Sequence, residues 1–398
     1  MKKRVLFVAA GPVQRTAMSR VKEMGYEVYA IDEDAGAVGF DIATGHEVCD
    51  VCDPSEIVRV AKNFKVDAIM CVCTDAPLVA VANACAQLGL PGPSVETAEV
   101  SANKWRQRMA LRKAGIAVPE FQRFQTVSEA KTIAEAFHFP IVLKPTDNAG
   151  SRGVTYVNAA ASVESAAQNA LQNSRSGFGL VEKFMQGPEI SVEAFVYGGK
   201  FVPLCLSEKV RTKLPYLLDR EVHFPQNCSD DVTSEILKMA STAVKACGFD
   251  NCPVHMELIR TADGPRVVEM AARGAGFYVF TRILPHVTGV DTIKSSLDLA
   301  FGNKPHITPL DNPLGASLVF LDPKPGRFVS ATHVEEARSL PGIIDIQVYP
   351  AVGDVLGELR SGADRVGHIF AFADTRLSAE STALQARQTI QIQIAPIS

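Results

Sequence analysis

The chain has 398 residues, of which 47% are hydrophobic, so it is long enough for two or three packed domains. Its formal net charge of -4 at pH 7 excludes a strongly basic protein, so composition gives no electrostatic reason to expect DNA, RNA or an acidic membrane as a partner. No apolar run reaches the roughly 18 residues of a spanning helix.

Residues 4 to about 93 alternate short apolar strands with helical segments. The pattern predicts strands at Val5–Ala9, Val28–Ile31 and Ala68–Cys73, and helices near Thr16–Met24, at Pro54–Phe64 and at Pro77–Leu88. Such alternation is typical of a parallel α/β unit. The basic start superficially resembles a signal peptide, but its apolar core is short and leads directly into the β-α pattern, so we expect a buried first strand.

Gly11 after the first strand and Asp32 after the second invite a dinucleotide-binding interpretation. The turn reads Gly-Pro-Val-Gln-Arg and lacks the G-x-G-x-x-G fingerprint, so we do not expect NAD there. Thr74 and Asp75 follow the third strand, and the carboxyl ends of parallel strands face the ligand crevice of such sheets. We therefore expect them to face a cleft.

Nine cysteines are present, and several lie in apolar strand-like runs, where thiols pack as small hydrophobic groups. We expect a reducing cytoplasm. Cys49 and Cys52 form a C-x-x-C pair close to His46, which is compatible with a metal or redox site. Because no second pair with zinc-finger spacing accompanies it, the sequence favours a structural role in a buried strand.

A turn-rich stretch, Leu90–Ser94, marks a domain boundary. The next segment, Ala102–Ile116, has helical periodicity and carries several basic residues and no acid, a pattern typical of a solvated face. After residue 115 the sequence predicts a small α/β unit that ends near residue 183.

The run Phe139–Val154 within that unit delivers Lys144 from a strand and then becomes a small-residue loop. Gly150 and Gly153 let backbone N–H groups approach an anion, and Ser151 adds a hydroxyl. The spacing is not that of a Walker loop, and a simple hairpin is the alternative.

Three further segments carry acids on predicted strands. Val181–Glu193 reads as a strand, a Gly-Pro turn and a second strand, while Val254–Leu258 and Val267–Arg273 flank an Asp-Gly turn signal. The segments Val254–Leu258 and Val267–Arg273 contain Glu257 and Glu269, respectively. Two carboxylates on paired strands suit Mg²⁺, which prefers hard oxygen ligands.

A proline-rich linker, Pro305–Pro313, leads to a tail of residues 314–398. The tail predicts strands at Ala316–Leu321 and Ile344–Tyr349 and a helix at Ser378–Gln393. It contains no cluster of nucleophile, base or metal ligands, so we expect it to close one side of an active site.

The ordered motifs KP…GSRGV, VEKFMQGPEISVE, HMEL and VEMAARGAG resemble the ATP-grasp superfamily of carboxylate-amine ligases, from about Asn103 to Asp291. The tail and His255, two residues before Glu257, make the L-amino acid ligase (dipeptide synthetase) group the most similar. The resemblance implies an α/β ATP-grasp fold with three parts: an N-terminal Rossmann-like pre-ATP-grasp domain (1–93), an ATP-grasp domain (94–304) with a lid at about 115–183, and a small C-terminal α+β domain (314–398).

The same resemblance implies an ATP-dependent ligase that activates a carboxylate as an acyl phosphate and joins it to an amine, releasing ADP and phosphate. It implies ATP and Mg²⁺, or Mn²⁺, as cofactors and small-molecule substrates as partners. Apart from the resemblance, we expect a cytoplasmic homodimer, because dimers are the commonest assembly of soluble enzymes. The carried-over catalytic residues are Arg273 and Lys144, and the metal ligands are Glu257 and Glu269. The carried-over ATP-binding residues are Lys104, Lys144, Ser151, Arg152, Gly153, Glu182, Lys183, Phe184 and Glu189, with the backbone of Glu182–Phe184 at the adenine and Glu189 at the ribose.

Two positions depart from the family pattern. Ala271 stands where most relatives have Asn, which puts the second metal's coordination in question. Arg220 stands where relatives carry an acid three residues before His223. It is compatible with a substrate that has an extra negative charge and equally with a solvated loop that has no role in specificity. The alternatives are an ATP-grasp enzyme with a purine-pathway or bicarbonate-type substrate and a non-catalytic nucleotide-binding protein.

Overall fold

A computed structural model describes residues 2–397, whose strands form four sheets. Residues 1 and 398, the outer limits of the first and last predicted domains, lie outside the described residues. Within 2–397, no helix combines the length and apolar character needed to cross a membrane.

The N-terminal unit is a parallel four-stranded sheet flanked by helices, with strand order β3-β2-β1-β4. Its elements are β1 (Arg4–Val8), α1 (Pro12–Glu23), β2 (Glu27–Asp32), β3 (Gly45–Val48), α2 (Pro54–Phe64), β4 (Ala68–Met70) and α3 (Leu78–Leu88). This confirms the predicted Rossmann-like α/β unit. The first helix starts at Pro12 instead of Thr16, because proline's fixed φ and missing N–H suit the first helical turn.

The lid is an antiparallel sheet of order β5-β8-β6-β7 with two helices on it. This region contains α4 (Val95–Ser101), α5 (Lys104–Lys113), β5 (Phe121–Phe124), α6 (Val127–Ala136), β6 (Ile141–Pro145), β7 (Thr155–Val157), α7 (Val163–Gln172) and β8 (Gly179–Lys183). The predicted helix at 102–116 is shorter than expected. Asn103 caps its start, since its side chain accepts a hydrogen bond from the N–H of Arg106.

A large antiparallel sheet of eight strands dominates the rest, with order β13-β12-β9-β10-β11-β14-β18-β16. The first part supplies β9 (Glu189–Tyr197), β10 (Lys200–Arg211), β11 (Asp219–Phe224), α8 (Asp230–Ala246), β12 (Cys252–Thr261), β13 (Gly264–Ala271), α9 (Leu284–Thr288) and α10 (Thr292–Ala300). The tail supplies β14 (Gly315–Phe320), β15 (Gly326–Thr332), α11 (Val334–Arg338), β16 (Ile343–Val348), β17 (Val355–Leu356), β18 (Gly367–Ala373), α12 (Arg376–Thr389) and β19 (Gln391–Ala395).

The tail is joined to the large sheet through β14, which pairs with β11 and so satisfies an edge that would otherwise expose unpaired peptide groups. A separate small sheet has the order β17-β15-β19. The predicted helix at 378–393 is wrong at its end: α12 stops at Thr389 and Gln391–Ala395 is a strand. The alternation Gln-Ile-Gln-Ile there is a strand signal of period two.

Alternation on the central strand β9 builds the core and the cleft together. Ile190, Val192 and Ala194 face one side, where they pack in a hydrophobic cluster with Ile236 and Ala240 of α8. The residues between them face the other side of the sheet, because successive side chains on a strand point to opposite faces. That second face carries the polar groups described next.

Candidate active site

A cleft of about 380 Å³ lies between the large sheet, the lid and the N-terminal unit. Most of the residues that the sequence singled out line it. They are Lys104, Lys144, Ser151, Glu182, Lys183, Phe184, Glu189, Glu257, Glu269 and Arg273. The structure therefore brings together ten side chains from segments that are up to 169 residues apart, counted from 104 to 273.

Glu257 and Glu269 stand directly opposite each other on the paired strands β12 and β13. Lysines hold both carboxylates: Lys104 Nζ lies 2.6 Å from Glu269 Oε2, and Lys209 pairs with Glu257. Burial raises the pKa of Glu257, but Lys209 and His255 outweigh burial and hold it well below its usual range. Two carboxylates in register are a donor set that fits Mg²⁺.

His255 bridges two strands beside this pair. Its Nδ1 lies 2.6 Å from Glu193 Oε1, and its Nε2 lies 3.4 Å from Glu257 Oε1. Burial lowers its pKa, but the two carboxylates outweigh burial and raise it to about 9. Ala271 faces His255 across the strand pair and offers no ligand atom to a metal.

Lys144 projects from β6 into a buried charge cluster. Its Nζ lies 2.6 Å from Glu182 Oε2, and Arg108 Nε lies 2.7 Å from Glu182 Oε1. Burial raises the pKa of Glu182, but both cations outweigh burial and hold it at about 2. Burial is also the main reason why the pKa of Lys144 falls to about 8.

Arg108 was missed by the sequence analysis. The basic helix α5 suggested a solvated face, yet the Arg108 side chain is fully buried. Its guanidinium also donates to the carbonyl of Val268 on the large sheet at 2.7 Å. It thus ties the lid strand that carries Glu182 to the strand that carries Glu269.

The loop after β6 has left-handed backbone at Gly150, Ser151 and Gly153. The N–H groups of Gly150 and Ser151 make no hydrogen bond to any part of the chain described here, so both are free for an anion. The Ser151 hydroxyl instead donates to the carbonyl of Leu217 at 3.0 Å. This contact fixes the loop against the segment before β11.

Two of the expected ATP-binding residues do not line the cleft. Arg152 is exposed and lies in a neighbouring cavity, where its Nε donates to the carbonyl of Ala149 at 3.1 Å. Gly153 is buried against Asn173, so close that an added Cβ would lie 2.7 Å from the Asn173 Cβ. Its role in this structure is close packing.

The segment Glu182–Phe184 is less open than expected. The N–H of Phe184 donates to the carbonyl of Pro140 at 3.1 Å, and that of Lys183 donates to Glu120 at 2.9 Å. The N–H of Phe184 is therefore not free, because β8 lies between two other strands. Val142, Phe184 and Met185 still give the cleft an apolar wall that suits a nucleobase.

Glu189 belongs to a second charge cluster that the sequence did not predict. Lys209 Nζ lies 3.0 Å from Glu189 Oε1 and 3.2 Å from Asp219 Oδ2, and Arg211 contacts Glu189. Burial lowers the pKa of Lys209, but the surrounding carboxylates, Asp219 first, raise it above its usual value. The alternation of Ser207, Lys209 and Arg211 along β10 is the signal that would have placed them on one face.

Arg220 does not serve as a cleft cation. Its Nε lies 3.0 Å from Asp322 Oδ2, and it is not among the residues that line the cleft. The tail instead supplies Arg365, which stacks 3.5 Å from the centre of the Phe320 ring and lines the cleft. The expectation that the tail closes one side of the site agrees with this placement.

Two family models match the sequence. Residues 137–281 match an ATP-grasp domain, and residues 319–395 match the L-amino acid ligase C-terminal domain 2. The chain is 29% identical over 276 residues to alanine-anticapsin ligase of Bacillus subtilis, covering 63% of this chain and 57% of that protein. It is 23% identical over 293 residues to an L-arginine-specific L-amino acid ligase of Bacillus subtilis, covering 71% and 69%.

The crystal structure of an L-amino acid ligase from Bacillus licheniformis has the same fold. It superposes with a TM-score of 0.85 at 21% identity over 99% of each chain. These matches confirm the predicted ATP-grasp fold, and they show that the chain contains an ATP-grasp domain followed by an L-amino acid ligase C-terminal domain 2.

Proposed function

From the ATP-grasp domain and the L-amino acid ligase C-terminal domain that this chain contains, we propose that it is an ATP-dependent ligase joining a small carboxylate substrate to an amine. One observation carries the proposal. The acid pair Glu257 and Glu269 shares a single cleft with Lys104, Lys144 and Arg273. Phosphoryl transfer requires this combination of metal-binding oxygens and fixed cations.

The ATP half of the cleft is the side formed by the lid. Lys144 and the free N–H groups of Gly150 and Ser151 bind phosphate oxygens, and Lys104 adds a second cation. The base occupies the apolar wall beside Phe184. Glu189 accepts hydrogen bonds from the ribose hydroxyls, for which it exchanges part of its contact with Lys209.

Glu257 and Glu269 would hold Mg²⁺, which neutralises charge on the β- and γ-phosphates when it is bound. The chain itself prepares this site by pairing both carboxylates with lysines, Lys104 at Glu269 and Lys209 at Glu257. Mn²⁺ prefers similar oxygen ligands.

In the proposed reaction a carboxylate oxygen attacks the γ-phosphorus and ADP leaves. The amine nitrogen then attacks the acyl carbon, phosphate leaves, and the amine loses its proton as the amide forms. Arg273 stabilises the negative oxygens of the acyl phosphate, since its fork of N–H donors matches such groups. The lid excludes water that would hydrolyse the intermediate.

The test is release of ADP and phosphate with Mg-ATP across all amino acids, singly and in pairs, with mass spectrometry of the positive reactions. The expected product has the mass of acid plus amine minus water. Glu269→Gln, which keeps the shape of the side chain but removes its charge, should lose this activity. Release of ADP without any condensed product would contradict the ligase proposal.

We also propose a homodimer in a reducing cytoplasm. Dimers are the commonest assembly of soluble enzymes, and all nine cysteines are free thiols. Light scattering of the purified protein tests the first part, and localisation of a tagged chain in its native cell tests the second.

A further inference from the structure

Arg365 is a cation on the tail side of the cleft that has no anionic partner. It lines the cleft and forms no salt bridge with a carboxylate of residues 2–397. Its Nη2 donates to the backbone carbonyl of Asp219 at 3.0 Å, whereas the carboxylate of Asp219 lies 3.2 Å from Lys209 Nζ. Burial lowers the pKa of Arg365, because the charge of Asp219 offsets burial only in part. A partly buried cation in this state calls for an anionic ligand.

Most N–H donors of Arg365 are unused. A guanidinium carries five N–H groups, and here only one, at Nη2, has an acceptor within residues 2–397. The other lysines and arginines that line the cleft are engaged: Lys104, Lys144, Lys209, Arg211 and Arg273 each contact a carboxylate, and Lys183 contacts the carbonyl of His138. An anion can therefore pair with Arg365 without displacing a carboxylate of the described chain.

Local structure holds Arg365 in place. It follows a short turn, Gly362–Asp364, in which Asp364 Oδ2 accepts hydrogen bonds from the N–H and the hydroxyl of Ser361 at 2.6 and 2.9 Å. The guanidinium stacks 3.5 Å from the centre of the Phe320 ring. Stacking on an aromatic face leaves the N–H groups in the plane of the guanidinium available to a carboxylate. A fork that is already positioned also loses little entropy when it binds one.

The wall beside Arg365 is apolar and lies away from the predicted metal ligands. It consists of Val222, Phe224, Phe277, Leu318 and Phe320, all of which line the cleft. Leu318 and Phe320 lie on β14, which three strands separate from β12 and its Glu257. Apolar side chains suit the carbon skeleton of a small substrate, whereas a triphosphate would lose hydration of its charges against them. Arg365 therefore belongs to the substrate side of the cleft.

We propose that Arg365 binds a second carboxylate of the acid that is activated, so that the acyl donor is a dicarboxylic acid. This inference rests on the proposed ligase function. Asp219 contacts both Arg365 and Lys209, and Lys209 pairs with Glu257, so only two residues span the gap between Arg365 and the predicted metal pair. One carboxylate would lie at the metal pair and be activated, while the other stays unreacted on Arg365. Arg365 would thus also decide which of the two carboxylates reacts.

The test isolates the acyl donor by using hydroxylamine as the acceptor, which traps the acyl phosphate as a hydroxamate. Each dicarboxylic acid is compared with its monoamide, which keeps the shape and lacks the second charge: glutamate with glutamine, aspartate with asparagine, and glutarate with glutaramic acid. In the wild type, kcat/KM should be at least about tenfold higher for the dicarboxylic acid of at least one pair, the scale of a hydrogen bond between charged groups.

Arg365→Gln removes the charge and should abolish this preference. It should lower kcat/KM for the dicarboxylic acid at least about tenfold and leave that for the monoamide within about twofold. Arg365→Lys keeps a charge without the planar fork and should retain part of the preference. Arg220→Gln is the matched control, because Arg220 pairs with Asp322 and does not line the cleft, and it should leave the preference unchanged. Thermal unfolding of each variant checks its folding.

Equal use of every dicarboxylic acid and its monoamide by the wild type would overturn the inference, as would a preference that survives in Arg365→Gln. A higher KM for ATP in Arg365→Gln, with both acids affected equally, would overturn it too, because Arg365 would then bind a phosphate. So would a loss that appears only when an amino acid replaces hydroxylamine, since Arg365 would then bind the acceptor.

If no acid gives a hydroxamate, the proposed function fails instead. Calorimetric binding of the same acid and monoamide pairs to wild type and Arg365→Gln with Mg-ADP then decides the role of Arg365 by itself. Tighter binding of a dicarboxylic acid that Arg365→Gln abolishes supports that role, and equal binding of each acid and its monoamide overturns it.

Discussion

The carboxylate of Asp75 holds the guanidinium of Arg273 through two hydrogen bonds, Nε to Oδ1 at 2.8 Å and Nη2 to Oδ2 at 2.6 Å. The pair joins the N-terminal unit to the strand end that follows Glu269. Burial raises the pKa of Asp75, but Arg273 outweighs it, so the carboxylate stays ionised. The N-terminal unit thus fixes the direction in which Arg273 presents its remaining donors to the cleft.

Asp75→Asn should lower kcat by roughly tenfold to a hundredfold, because an amide accepts only one of the two hydrogen bonds and Arg273 loses its fixed orientation. The KM for ATP should change little, since the pair lies outside the lid. Steady-state ADP release measures both. Glu56→Gln, which breaks an exposed pair with Arg59, is the matched control. An unchanged kcat in Asp75→Asn would contradict the positioning role.

Lys104 competes with a metal ion for Glu269, because its Nζ lies 2.6 Å from Oε2. Lys104→Met should therefore have two opposite effects. Mn²⁺ binding without nucleotide, followed by electron paramagnetic resonance, should tighten by about fivefold, whereas the KM for ATP should rise about tenfold. Lys131→Met, at an exposed pair with Glu164, should do neither. Weaker Mn²⁺ binding in Lys104→Met would refute the competition.

Lys144 should make ATP binding depend on pH. Burial lowers its pKa to about 8, so the ammonium that binds phosphate is lost as pH rises through 8. The KM for ATP should rise between pH 7.5 and about 9.5, and Lys144→Arg should flatten the profile because arginine stays charged. The effect on folding stability has the opposite sign. Between pH 8 and 10.5 Lys144 is protonated in the unfolded chain but not in the folded chain, so its contribution to the free energy of unfolding rises with pH.

Glu182 is the common partner of two buried cations, Arg108 and Lys144. Glu182→Gln leaves both uncompensated and should reduce the free energy of unfolding by about 3–5 kcal/mol, measured in urea. Because the pKa of Glu182 is about 2, the stabilisation from its carboxylate is present above pH 4.5 and is lost as pH falls towards 2. The Glu182→Gln variant has no carboxylate there and should not show this loss of stability. Glu164→Gln on the lid surface should leave the urea midpoint unchanged.

The sequence predicted those parts of the site that local patterns encode. Turn residues separated the two strands within Val181–Glu193, and turn signals paired the strands of Glu257 and Glu269. Motif order predicted an ATP-grasp domain, which the match over residues 137–281 confirms.

Long-range pairing left no local signal. Arg108 looked like one more cation on a solvated helix, because its partner Glu182 lies 74 residues further along the chain. Arg365 lies in a tail without motifs, and only the pairing of β14 with β11 brings that tail to the cleft. Alternation along β10 indicates the face on which Lys209 lies, but it does not indicate its three carboxylate partners, which come from three different strands.

Ala271→Asn should restore the coordination position that this chain lacks. Residue 271 lies two positions after Glu269 on the same face of β13 and faces His255, so an amide oxygen there would lie beside the metal pair. Mn²⁺ binding in the presence of a non-hydrolysable ATP analogue should tighten by roughly threefold to tenfold, with no loss of kcat. Ala271→Val, which adds volume without a ligand atom, is the control. Equal Mn²⁺ affinities of the two variants would mean that water completes the coordination, because the amide oxygen would then add nothing to it.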